Sequence, residues 1–187
     1  MGPVAFVAAW AVSGATTGSY SPVRDAISAL AAVGAATRAP MTAGFVVYGL
    51  GLIAFGLALR EALEGRAWIA AVATGSCTLA VAATPLGGWS GDTVHGIAAA
   101  LGYAAIVVLP ILASLPFASR GRRGWVLASR LTGITAALCL AATALGPAHG
   151  LWQRLGLTSA DTWIVVTAVA LASLRGPFAE RAGRPTT

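Results

Sequence analysis

The sequence predicts an all-α polytopic membrane protein: a bundle of about six transmembrane helices, with a short interfacial helix after the first. Three observations predict it. Of the 187 residues, 57% are hydrophobic and 10% charged, against about 25% charged in ordinary soluble domains. The mean hydropathy is +0.80. The apolar residues fall into six continuous runs separated by short loops rich in Arg, Gly and Pro. A water-soluble fold of this composition would expose large apolar patches. Continuous runs, rather than alternating ones, also argue against a transmembrane barrel.

The runs occupy residues 3–17, 40–59, 67–86, 93–117, 125–145 and 162–174. Backbone polar groups in lipid must be satisfied within the segment, so each run is expected to be a helix. A span needs about 20 residues, so the first and last runs are short. The first lacks a basic n-region and a cleavage site and is kept as a helix. Gly44, Gly49, Gly51, Gly56, Gly96, Gly102 and Gly133 allow close helix approach. The chain reads as one membrane-embedded domain over 1–187, with 175–187 a polar cytoplasmic tail.

All twelve basic residues are Arg. Nine of them (60, 66, 120, 122, 123, 130, 175, 181 and 184) belong to one side of the predicted bundle, and Arg24, Arg38 and Arg154 to the other. The positive-inside rule places the nine, and both termini, in the cytoplasm. The composition fits a bacterial inner membrane. The net charge of +6 is explained by this loop placement, so nucleic acid is not expected as a partner. Cys77 and Cys139 lie in apolar runs without metal-ligand spacing and read as packing residues. The sequence sets no oligomeric state.

Asp25, Asp92, Asp161, His95, His149, Tyr20, Trp89, Trp152 and Trp163 all collect at the face opposite the nine Arg residues. Ser21-Pro22 reads as an N-cap and first-turn proline. Asp25 and Ser28 then share one helical face. Asp25 is either a charge favouring that helix start or an acid desolvated beside Ile27 and Leu30. Asp92 and His95 stand three apart at the start of the fourth helix, as an N-cap with a local hydrogen bond or as a proton-sharing pair. Residues 151–155 read as a short interfacial helix and Asp161 as the N-cap of the last span. Arg154 pairs either with an Asp or with a lipid phosphate. Nucleotide-binding, zincin and nucleophile-elbow motifs are absent.

The strings Tyr20-Ser21-Pro22-x-x-Asp25-x-Ile27-Ser28-x-Leu30, Pro85, Asp92-x-x-His95-Gly96 and Gly150-Leu-x-Gln-Arg154 resemble a broad bacterial family of six-helix membrane proteins of unknown function. In size, helix count and acid placement the chain is also similar to the small membrane terpene cyclases of actinomycete indole-terpenoid (drimentine-type) pathways. That resemblance implies metal-independent cyclisation of a prenyl (farnesyl) chain on an indole-containing scaffold, started by protonating an alkene, with no cofactor. It implies a hydrophobic prenylated substrate besides the lipid bilayer. Alkene protonation needs a carboxylic acid in an apolar site, and the carbocations need aromatic faces. On this reading Asp25 and Asp92 supply acid and base, and His95 orients or recharges Asp92. Tyr20, Trp89, Tyr103 and Trp163 line the pocket, with Ser28 and Arg154 contacting substrate. A second function class is a non-enzymatic transporter or assembly factor using the same polar residues, and a third is a purely structural membrane protein in which they are ordinary helix caps.

Overall fold

The structure, a computed structural model, describes residues 1–89 and 91–175. The helices among them are α1 (Gly2–Thr16), α2 (Arg38–Ala62), α3 (Ala67–Ala83), α4 (Gly91–Ser119), α5 (Arg123–Ala142) and α6 (His149–Arg175), with a 3-10 turn at Ile27–Ala31 between α1 and α2. There are no strands among the described residues. Each helix packs on the next in sequence, and α6 returns more lightly to α1, closing a ring. All but the first residue of the expected tail at 175–187 lies outside the described residues.

The helices α2, α4, α5 and α6 are long and apolar enough to cross a membrane. At 1.5 Å per residue, the 15 residues of α1 and 17 of α3 reach only about 22 and 26 Å, short of a ~30 Å hydrocarbon core. Large apolar side chains cover the outward faces, among them Val12, Leu50, Leu101, Leu115, Leu138 and Val169. A bundle that presents Leu and Val outward on every side is solvated by lipid, and the chain is a membrane protein.

Helix contact rests on small residues where the runs predicted it. A Cβ at Gly49 would meet the Gly75 carbonyl at 2.8 Å, so α2 and α3 touch through their backbones. Gly96 is different: nothing lies near the position of its missing Cβ. Inside the ring, Phe6 stacks on Tyr48 with centroids 4.6 Å apart, and Phe55 meets the edge of Trp163. At the Arg-rich end, Arg60 lies over the Trp68 ring and an Arg120 guanidinium N–H donates to the Ala62 carbonyl.

Two expectations about local structure need correction. The last span does not start at 162 behind a separate short helix; α6 runs unbroken from His149. Gly156, a weak helix residue, is held there by packing against Cys139 and Leu140. Asp161 therefore sits near the middle of α6 and is not an N-cap. The segment after α1 is not an α-helix starting at Ser21. Residues 21–25 form a turn in which Asp25 N–H donates to the Ser21 carbonyl (2.7 Å), and the 3-10 turn follows. Ile27, Leu30 and Ala31 are buried, so this segment plugs the end of the ring.

Consecutive loops on either side of α5 must face opposite membrane surfaces. In a background with Cys77 and Cys139 replaced by Ala, we expect Leu145→Cys, in an exposed loop, to react with a membrane-impermeant maleimide on intact cells. Arg122→Cys should react only after lysis, as the positive-inside rule requires. Equal labelling of both on intact cells would reject this topology.

Candidate functional site

Two clusters of polar side chains organise the end of the bundle opposite the Arg-rich loops. The first joins the loop after α1 to the start of α6. Arg154 is only 7% exposed. Its Nη1 donates to the carbonyls of Gly150 (2.8 Å), Pro22 (2.7 Å) and Asp25 (3.1 Å), and its Nη2 to the Tyr20 hydroxyl. The guanidinium also lies 5.2 Å from the Trp10 ring centre and 5.4 Å from that of Tyr20. None of its hydrogen-bond partners among the described residues is a carboxylate. A buried cation is thus met by carbonyl dipoles and ring faces rather than by an ion pair.

The neighbouring residues of α6 complete this clasp. Leu151 N–H, a helix-start donor with no partner inside its own helix, donates to the Val23 carbonyl at 3.0 Å. Gln153 Oε1 accepts from Ile27 N–H at 2.8 Å, and its Nε2 donates to the Tyr103 hydroxyl. Gly150 is required by approach: a Cβ there would collide with the carbonyls of Asp25 and Pro22. Tyr20 O–H reaches the Ala26 carbonyl at 3.1 Å. Burial raises the Tyr20 phenol above its usual pKa, and the adjacent Arg154 charge acts in the opposite direction. Asp25 turns its carboxylate back on its own loop, accepting from Ser21 N–H at 2.6 Å.

The second cluster closes the turn between α3 and α4. Asp92 is exposed, and its carboxylate accepts from Gly87 N–H at 2.8 Å, five residues upstream. His95, only 5% exposed, places Nδ1 at 2.7 Å from the Thr84 carbonyl. A carbonyl only accepts, so Nδ1 carries the proton, and in the neutral ring Nε2 keeps a lone pair. Val33 N–H donates to the Leu86 carbonyl at 2.9 Å, tying this turn to the segment after the 3-10 turn.

Between the two clusters lies a partly open cavity, walled by α1, α2, α3, α4, α6 and the 3-10 turn. Phe6, Phe45, Val81, Ala98, Ile106 and Leu157 make it largely apolar. Its polar edge comprises Ser28, Tyr48, Thr74, Thr78, His95, Tyr103 and Gln153. On the flank of the bundle an open groove shares Ser28, His95, Ala99, Tyr103 and Gln153 with the cavity and continues along Ala100, Ala104, Ala137 and Ala141. The site therefore adjoins a surface of α4, α5 and α6 that faces lipid.

Of the residues singled out from sequence, Ser28, His95 and Tyr103 share this cavity. Tyr20, Asp25 and Arg154 gather instead in the clasp behind it. Asp92 belongs to the α3–α4 turn. Trp89 stands 87% exposed. Trp163 is buried elsewhere, its indole N–H donating to Ser129 Oγ at 3.0 Å. The pairings left open for Arg154, an Asp side chain or a lipid phosphate, give way to backbone carbonyls and Tyr20. Sequence reasoning passed over Gln153, although it lies inside the Gly150-Leu-x-Gln-Arg154 string. It also passed over Tyr48, whose hydroxyl donates to Asp161 Oδ1 at 2.6 Å inside the bundle.

A family model described as a protein of unknown function (DUF998) matches residues 1–170. The chain belongs to the DUF998 family. No curated protein and no solved structure matches it. In this DUF998 chain two of the strings that carried the family resemblance are in contact with one another, as Tyr20, Pro22, Asp25 and Ile27 meet Gly150, Gln153 and Arg154.

The clasp makes a stability prediction. Gly150→Ala is expected to destabilise the detergent-solubilised protein by about 1–3 kcal/mol, the usual effect of overpacking. Gly96→Ala, directed into open space, should be neutral or stabilising by up to about 1 kcal/mol. Thermal unfolding followed by size-exclusion chromatography checks the order; equal midpoints would show that the loop does not press on α6.

Proposed function

We propose that this DUF998 protein is a membrane-integral cyclase. It draws a prenyl chain, attached to an indole-containing scaffold, out of the bilayer and cyclises it by protonating an alkene. The observation that carries the reading is the cavity: an apolar, aromatic-walled space inside a membrane bundle, with His95 and the hydrogen-bonded Tyr103–Gln153 pair at its edge. Such a space excludes water from a carbocation, and the faces of Phe6, Phe45, Tyr48 and Tyr103 stabilise positive charge. The open groove along α4 supplies a lateral route from lipid.

Within this reading His95 is the base that ends the reaction. Its Nδ1 is held by Thr84, which leaves Nε2 to take a proton from the final cation. Asp25 and Asp92 each engage one carboxylate oxygen with a backbone N–H of their own turns. We assign them to shaping the loops that wall the cavity rather than to proton transfer.

Membranes from a bacterial host expressing the protein, supplied with a farnesylated indole diketopiperazine, are expected to yield an isomer of unchanged mass and shifted retention. His95→Ala should lower turnover about 10²-fold, at the low end of general acid–base contributions, with protein content matched. Substrate that binds without forming an isomer would contradict the enzyme and favour a non-enzymatic carrier.

A further inference from the structure

Asp161 is the carboxyl that the sequence marks as a helix cap and that the structure places inside α6 instead. It is 3% exposed near the middle of α6. One oxygen, Oδ1, lies 2.6 Å from the Tyr48 hydroxyl. The other, Oδ2, is buried with no hydrogen-bond partner among the described residues. None of its hydrogen-bond partners there is an Arg or a His. A titratable side chain at this depth, between helices in lipid, is expensive to keep and marks a functional position. If α6 needed only a link to α2, Asn would give the same acceptor without the burden of an ionisable group.

Tyr48 stands on both sides of the question. Its hydroxyl meets Asp161, and its side chain forms part of the cavity wall, stacked on Phe6. Resting on the cyclase reading above, we infer that Tyr48 and Asp161 form the proton-donating pair of the cavity, with Tyr48 the group that meets the alkene and Asp161 the residue that supplies it from behind. A carboxylic acid and a phenol 2.6 Å apart can pass a proton in either direction, because each carries an O–H and an accepting oxygen.

The step balances. With Asp161 protonated the hydrogen bond reverses, the carboxyl O–H donating to the Tyr48 oxygen and the Tyr48 O–H turning to the alkene. The alkene π pair then forms a new C–H bond as the Tyr48 O–H bond breaks, and the Asp161 carboxyl proton moves onto the Tyr48 oxygen. This leaves a carboxylate on Asp161 and a carbocation in the cavity. Ring closure consumes a second alkene and forms a C–C bond. A C–H bond next to the last cationic centre then breaks, its electrons forming the product alkene and its proton going to His95 Nε2. The product is an isomer of the substrate, and nothing is oxidised or reduced. The imidazolium gives its proton to water, and Asp161 takes one back from water before the next turnover, so the cycle consumes no net proton.

The test uses full-length protein in membranes with the farnesylated indole substrate, run in H₂O and D₂O. Asp161→Asn keeps an acceptor for the Tyr48 hydroxyl, so a purely structural link survives it while the transferable proton does not. We expect Asp161→Asn and Tyr48→Phe to lower kcat by about 10²- to 10⁴-fold, with KM changed by less than about threefold because neither removes apolar wall. Asp161→Glu should restore part of the rate, and wild-type product formed in D₂O should carry deuterium at the protonated carbon. Size-exclusion profiles matching wild type would show the variants folded. If wild type cyclises and Asp161→Asn keeps its kcat within about threefold, the pair is not the proton source and the cyclase reading stands. If wild type forms no isomer, the cyclase reading itself fails and this inference falls with it.

Discussion

A guanidinium buried in a membrane bundle has to be answered wherever it sits, and in this protein the answer shapes one whole end of the molecule. Arg154 stands one turn into α6, where the helix dipole already favours negative charge. It is nevertheless buried with no carboxylate among its hydrogen-bond partners in the described residues. Three carbonyls, a phenol and two aromatic faces take that place, and to bring them there the loop after α1 must fold down onto the helix. Gly150 gives the room, Leu151 and Gln153 add their own hydrogen bonds, and the 3-10 turn is drawn into the bundle with Ile27 and Leu30 buried. Removing a partner from such a charge leaves it uncompensated, which is far more damaging than losing one neutral hydrogen bond.

The cavity follows from that arrangement. The 3-10 turn gives it Ile27 and Ser28, and Gln153 links the clasp to Tyr103 on α4. On the far wall, α1 and α2 contribute Phe6, Phe45 and Tyr48, with Asp161 immediately behind. The motif strings are therefore architectural in large part: they hold the end of the bundle in a shape that encloses an apolar space. The groups that reach the space are fewer, and His95 is a motif residue whose ring is fixed through Nδ1 by the Thr84 carbonyl.

The apolar runs were legible in sequence because lipid imposes one rule on every span. Helix number, the loops and most of the close-packed glycines followed from it. What failed was anything decided by a distant partner. Asp161, preceded by Thr158 and Ser159, has the look of a helix start, but its role is set by Tyr48, far away in sequence. Ser21-Pro22 carries the chemistry of an α-helix N-terminus, yet the clasp holds residues 21–26 in a turn whose carbonyls point at Arg154. Asp25 and Asp92 were visible as acids at one face, but periodicity does not say that each would bend back to a backbone N–H of its own loop. Gln153 carries no charge and so drew no attention, although it bridges two elements.

The central claim is that a prenyl chain occupies the space between the clasp and the α3–α4 turn. Photo-crosslinking in native membranes, with a farnesylated indole bearing a diazirine on the terminal isoprene unit, tests it most directly. The account predicts adducts on α3 and α4 at cavity residues such as Cys77, Val81, Ala98 and Tyr103, competed away by unlabelled substrate. Adducts confined to lipid-facing positions such as Val4 and Val166, insensitive to competition, would contradict it.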